Sequence, residues 1–143
     1  MFGALLSSLL VAAGPVPPAA CAESVVATGA ASRLTELPPE IREDLALLSN
    51  NEIAESGTPL LDSDSHGPED RRATLRFVQG LLVDGIWFVS FEPAMMGPWT
   101  LGYRRSSDGR FRRSPDYAFG GQICAVIAAA RSGVRSADLV FFR

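Results

Sequence analysis

Asp84-Gly85 is the feature that most limits what this 143-residue chain can fold into. Two runs rich in β-branched and aromatic residues, 74–83 and 86–92, flank it. Asp and Gly tolerate the positive φ of a two-residue hairpin turn, so the dipeptide folds the two runs back on each other. The turn also sets the pairing. Val83 opposes Ile86, Leu82 opposes Trp87, Leu81 opposes Phe88 and Gly80 opposes Val89. Farther out, Val78 opposes Phe91 and Phe77 opposes Glu92. Opposed residues of an antiparallel pair share a face. One face therefore collects Val78, Gly80, Leu82, Trp87, Val89 and Phe91 and reads as core, with Gly80 leaving room for the Trp87 indole. The other face is mixed. Leu81, Val83, Ile86 and Phe88 cluster near the turn, with Phe77, Gln79, Ser90 and Glu92 beyond them. An apolar cluster on a second face calls for a cover: the N-terminal helix, a second copy of the chain or a ligand.

The rest of the pattern fits around this hairpin. A second hairpin is predicted at about 99–113, with Asp108-Gly109 at its turn. Between the two, Met95 and Met96 lie in a loop bounded by Pro93 and Pro98. A helix at about 38–49 starts with Pro38 and Pro39 and carries Glu40 and Glu43 near its positive end. Ile41, Leu45 and Leu48 form its buried stripe, and Asn50 and Asn51 end it. A C-terminal helix is placed at about 115–131, capped by Ser114-Pro115-Asp116 and stopped by Gly133, with Gly120-Gly121 weakening its first part. Its apolar residues run most of the way round, which predicts central burial. Residues 138–143 read as a short last strand, 23–33 as a frayed lead-in and 58–61 as a short strand in an otherwise polar stretch, 50–72. The fold class is α+β: a small antiparallel sheet built from two β-hairpins, with helices packed on it.

Residues 1–22 lack Asp, Glu, Lys and Arg. An apolar run at 2–14, the prolines 15, 17 and 18, and Ala20-Cys21-Ala22 together read as a secretory signal cleaved after Ala22, leaving 23–143 as one domain. The run is too short for a membrane span, which needs about 20 apolar residues. Periplasmic or extracellular localisation follows. Lipidation through Cys21 is the rival fate; Pro18 stands three positions before it, where such signals carry an aliphatic residue. The only cysteines are Cys21 and Cys124. Cleavage after Ala22 leaves Cys124 alone, expected buried within its apolar helix. If Cys21 is kept, a 21–124 bridge becomes available.

Charge is segregated. Residues 23–70 hold 11 acidic and 2 basic side chains, and residues 71–143 hold 5 and 11. All 13 basic residues are arginine. Either the acidic half folds over the arginines, or one half faces a partner. Arg104, Arg105, Arg110, Arg112 and Arg113 on the second hairpin are the candidate binding residues, suited to gripping a carboxylate or phosphate bidentately. The implied partner is an acidic protein or an anionic envelope polymer; net charge −3 and export argue against nucleic acid.

Catalytic and metal signals are weak. Asp62-Ser63-Asp64-Ser65-His66-Gly67 opens like a calcium loop, but His66 stands at a ligand position and Ala73 where the bidentate Glu belongs. The single histidine, His66, lies in a polar loop, far in sequence from Cys124. Glu92 with Asp116 is the carboxylate pair an acid/base hydrolase would use. No cofactor motif is present in the sequence, and no residues are assigned to a metal. The leading reading is an exported, non-enzymatic binding or inhibitor-type protein. The rivals are a carboxylate-dependent or metal-assisted envelope hydrolase and an apolar-ligand carrier using Leu81, Val83, Ile86 and Phe88. A binding hairpin should be free of internal carboxylates, a hydrolase should pair Glu92 with a second acid in a cleft, and a carrier should open a cavity on the second sheet face.

Overall fold

Asp84 and Gly85 both adopt positive φ, 51° and 77°, and reverse the chain as their residue types predict. The computed structural model describes Cys21 and residues 25–61 and 72–136. Its elements are β1 (Gly29–Ala31), α1 (Pro39–Leu48), β2 (Ile53–Ala54), β3 (Leu75–Val83), β4 (Ile86–Pro93), β5 (Trp99–Arg105), β6 (Phe111–Gly120) and α2 (Ile123–Arg131). A single 3-10 turn, Leu34–Glu36, precedes α1. The sheet runs β1-β3-β4-β5-β6, and β2 also pairs with β3. The fold is α+β, with a small antiparallel sheet between two helices. The two short strands share one edge of β3: β1 lies antiparallel to Gly80–Leu82, and β2 parallel to Leu75–Arg76. Together they cover an edge that would otherwise offer unpaired backbone groups.

Near the turn the register is the predicted one, from Val83↔Ile86 to Gly80↔Val89. Beyond it the structure corrects the expectation. Val78 is skipped by a bulge, so Phe77 opposes Phe91 and Arg76 opposes Glu92. The extra residue reverses the alternation of side chains. It turns Phe77 into the core beside Phe91 and leaves Arg76 to bond Glu92 at 2.7 Å. A chain without the bulge would send Phe77 to the opposite face.

Both faces of the sheet are buried. On one, Leu34, Leu37, Ile41 and Leu45 pack on Phe77, Trp87, Val89, Leu101, Tyr103 and Phe111. Leu37 and Trp87 both come close to the bare α-carbon of Gly80, the space the sequence assigned to the indole. On the other face, Ile123, Val126, Ile127 and Ala130 of α2 cover Leu81, Val83, Phe88, Tyr117 and Phe119. The cover of the second face is thus the C-terminal helix and not the N-terminal one. The outer side of α2 is finished with small residues, Ala125 and Ala128, which are exposed.

Four further expectations are corrected. Residues 115–120 are not the start of a helix; they continue β6. There Tyr117 and Phe119 alternate onto the α2 side, and Pro115 is tolerated because β6 is the sheet's outer strand. Gly121, at φ 142°, then turns the chain into α2. Residues 29–31 are a paired strand, tied down by the Thr28 amide, which donates to the Leu82 carbonyl at 2.8 Å. Leu48, read as buried, is 47% exposed, because α1 ends there and Asn50 and Asn51 turn away with φ of 50° and 62°. Of the expected strand at 58–61, only a bridge between Leu60 and Ala73 forms; the regular β2 lies earlier, at Ile53–Ala54. The Asp62–Gly67 loop with His66, and the expected last strand at 138–143, lie outside the described residues.

Cys124 is not a lone thiol. It bonds Cys21 across a sequence separation of 103 residues, with Cα atoms 5.2 Å apart. Cross-linking a loop of that length removes much of the unfolded chain's freedom, a contribution on the order of 2–5 kcal/mol.

Among the described glycines, Gly102 leaves the least room for a side chain; it lies at a second irregularity, between Leu101 and Tyr103. A Cβ built there would lie 2.4 Å from the Cβ of Tyr117. That atom is fixed to the backbone and cannot swing aside. Gly102→Ala is expected to destabilise the fold by about 1–3 kcal/mol or more in urea titration. Gly97→Ala, with nothing within 4 Å of the added methyl, should stay within about 0.5 kcal/mol of the parent.

Candidate functional site

Strand alternation divides the arginine hairpin between the two faces of the sheet. Arg105 pairs across the sheet with Phe111, and Arg113 with Tyr103. Phe111 and Tyr103 belong to the core beneath α1, so Arg105 and Arg113 face that helix. Arg104 opposes Ile86 on one side and Arg112 on the other. Ile86 packs on the α2 cluster, so Arg104 and Arg112 face the other way. The five arginines named from the sequence are therefore not one site.

The α1 side is neutralised from within. Arg113 meets Asp44 at 3.5 Å and Arg110 meets Glu43 at 3.6 Å. Arg105 lies over the Phe111 ring at 4.5 Å and donates to the Gly109 carbonyl. Asp44 also accepts the Tyr103 hydroxyl at 2.9 Å, and Glu40 accepts the Phe111 amide at 3.0 Å. Burial, and then the adjacent Asp44 charge, push the Tyr103 phenol well above its ordinary range. The Phe111 amide, with Arg110 and Arg105 nearby, holds the Glu40 carboxyl below its ordinary value. These contacts dock the acidic helix on the basic hairpin and line a cleft of about 340 Å³ with charges of both signs. Charge segregation along the chain is thus resolved here by folding.

The α2 side is built differently. Arg104 and Arg112 are direct cross-strand neighbours, an arrangement that costs stability because like charges oppose each other. Arg112 is held at 2.8 Å by Asp108 in the turn, and Ser106 and Arg112 together keep the Asp108 carboxyl far below its ordinary range. Arg104 meets Asp116 at 3.9 Å, its one carboxylate partner among the described residues, and lies over the Tyr117 ring at 5.5 Å. A further guanidinium, from Arg135 just beyond α2, lies over the same ring at 5.0 Å. It donates to the carbonyls of Ala130 and Val134 and meets no carboxylate among the described residues. The side chains of Arg104 and Arg112 are 56% and 66% exposed. Arg104 and Arg135 thus stack on one tyrosine, and Arg112 lies opposite Arg104 on the neighbouring strand. The hairpin is not free of internal carboxylates: Arg104, Arg110, Arg112 and Arg113 each meet one. Sequence reasoning missed Arg135, which follows a helix 22 positions after Arg113; only the packing of α2 brings it to Tyr117.

The other candidates separate. Glu92 pairs with Arg76 at 2.7 Å. It borders a cavity of about 330 Å³ with Val78, Gln79, Ser90, Gln122, Ile123 and Cys124, and no second carboxylate lines that cavity among the described residues. Asp116 sits elsewhere, beside Arg104. Leu81, Val83 and Phe88 are buried under α2, with Ile86 partly buried at the margin. A smaller groove of about 230 Å³, lined by Leu45, Leu48, Leu75, Phe91 and Leu101 with Arg113, lies on the α1 side instead. No group of three or more metal-ligating side chains occurs among the described residues, and no described helix is long and apolar enough to cross a membrane.

Comparison with protein-family models, with curated proteins and with solved structures gives no match.

Docking of α1 on the hairpin is expected to be acid-sensitive. A carboxyl whose folded pKa is depressed stabilises the fold above its unfolded value, 4.5 for Glu40, and that stabilisation is lost as pH falls through the folded value. Urea unfolding followed between about pH 6 and pH 3 should show stability falling with acid, and Glu40→Gln should flatten part of that fall. An unchanged slope in the variant would remove Glu40 from the account.

Proposed function

We propose that the chain is an exported, non-enzymatic binding protein that holds an anionic partner on its α2 side through Arg104, Arg112 and Arg135. The observation that carries this reading is the direct opposition of Arg104 and Arg112 on an exposed surface. Like charges directly opposed on neighbouring strands carry an electrostatic cost, which Asp108 and the more distant Asp116 offset in part and a bound carboxylate or phosphate would offset further. Arginine suits this role because its planar fork meets such groups through two parallel hydrogen bonds. Tyr117 supplies a rigid base for two of the guanidinium groups, restricting their motion before a ligand arrives. The partner class is an acidic protein segment or an anionic polymer of the cell envelope. The uncharged, apolar N-terminal run at 2–14 and the cystine between Cys21 and Cys124 support the exported compartment.

Arg105, Arg110 and Arg113 act in this account as the inner half of the hairpin, engaged with Phe111 and α1. Reversing them changes docking of the helix and not capture of a partner.

The test uses two defined probes, polyphosphate and a poly-glutamate peptide, titrated into labelled protein while the arginine side-chain resonances are followed. Shifts at Arg104, Arg112 and Arg135 that weaken with salt are expected with at least one probe. Arg104→Glu combined with Arg112→Glu should weaken binding by about tenfold or more, equivalent to about 1.4 kcal/mol, with the fold retained. Arg110→Glu should leave binding within about twofold, an exposed pair contributing only about 0–1 kcal/mol. Absence of any salt-sensitive shift at the three arginines with both probes would end the reading.

A further inference from the structure

We propose that Cys21 remains in the exported chain as half of a cystine with Cys124, and is neither cut away with the leader nor acylated. The inference rests on the exported compartment proposed above and on the packing around the bond. Three fates compete for one sulfur. Thioether lipidation would use up the Cys21 Sγ, cleavage after Ala22 would remove the residue, and the structure joins it to Cys124. These fates are mutually exclusive for a single mature chain.

Two observations favour the cystine beyond the bond itself. First, Cys21 and the described residues from Val25 onward lie on the fold. Cys21 and Val25 are packed against the α2 cluster, the Thr28 amide donates to Leu82, and Gly29–Ala31 pairs with β3. The bond fastens this segment at its N-terminal end as the strand pairing fastens its C-terminal end. Second, Cys124 is the second residue of α2. A helix N-terminus stabilises a thiolate and so raises the reactive fraction of a thiol placed there. Cys124 is only partly buried and borders the cavity formed with Gln79, Ser90 and Gln122. Left alone in an oxidising compartment, such a thiol would couple to other thiols. Pairing with Cys21 removes that hazard.

The bond forms by exchange with a disulfide-bearing thiol oxidase. The Cys124 thiolate attacks the oxidase disulfide and gives a mixed disulfide. The Cys21 thiolate then attacks the Cys124 sulfur, and the oxidase leaves as its dithiol. Two protein thiols are oxidised and one disulfide is reduced.

The experiment expresses the full chain in a bacterium with an oxidising periplasm, fractionates the cells, and maps the exported protein by intact mass and trypsin digestion without and with reductant. The expected map joins the peptide ending at Arg33 to the peptide ending at Arg131, with no thiol alkylated before reduction and both cysteines alkylated after it. Cys21→Ser is expected to leave a Cys124 thiol that alkylates without reductant and forms disulfide-linked dimers. An exported chain beginning at Glu23, or one carrying an acyl mass on Cys21, overturns the proposal and leaves export intact. Retention of the chain inside the cell overturns the export reading instead. The purified chain refolded in a glutathione redox buffer then decides the pairing: a 21–124 cross-link supports it, and two persistent free thiols overturn it.

Discussion

Pairing of β3 with β4 through Asp84-Gly85 is the contact on which the remaining structure is hung. It is local, so little chain entropy is lost in closing it, and it creates a surface that cannot stay exposed. Trp87 and Val89 point one way, and Val83 and Phe88 the other. A strand pair apolar on both faces has to be covered twice, and the chain supplies one helix for each side. The bulge at Val78 belongs to the same constraint. It moves Phe77 to the side where α1 waits and brings Arg76 to Glu92, so one irregular residue satisfies both an aromatic ring and an ion pair.

Electrostatics then distinguishes the two covers. α1 brings Glu40, Glu43 and Asp44 onto the basic hairpin, and the contacts are long or exposed enough that each adds little alone. Their joint effect is positional: they fix the helix against Phe111 and Tyr103. α2 brings alanines to its outer side and another arginine at its end. The hairpin's arginines therefore meet the acids of α1 on one side, while on the other they meet Asp108 and Asp116 and share the Tyr117 ring with Arg135. This asymmetry follows from strand alternation together with the acids of α1 and the position of Arg135.

The cystine joins the beginning of the described chain to the start of its last helix. Both its cysteines, with Val25, pack against the α2 cluster. With β1 and β2 sharing the edge of β3, every described segment before the first hairpin is tied either to the sheet or to a helix.

Turn chemistry and side-chain periodicity act over a few residues, so the first hairpin, its register near the turn, the α+β class and the buried stripe of α1 at Ile41 and Leu45 are legible in the amino-acid order. That order also required a cover for the apolar second face at Leu81, Val83 and Phe88. Tertiary structure alone decided which helix supplied it. The strand identity of residues 115–120 was hidden by Ser114-Pro115-Asp116, which has the local chemistry of a helix start; the space beside Gly102 and the position at the sheet's outer edge overrode it. The arginines were legible as a basic group, and their division was not, because it depends on the register of β5 with β6 and on a bulge that no local pattern announces. Arg135 was beyond the sequence for the same reason: its contact with Tyr117 is made only when the layers have packed. For Cys124 the sequence offered Cys21 as the one possible partner within the chain, and the packing of the N-terminal segment against α2 brought the two together.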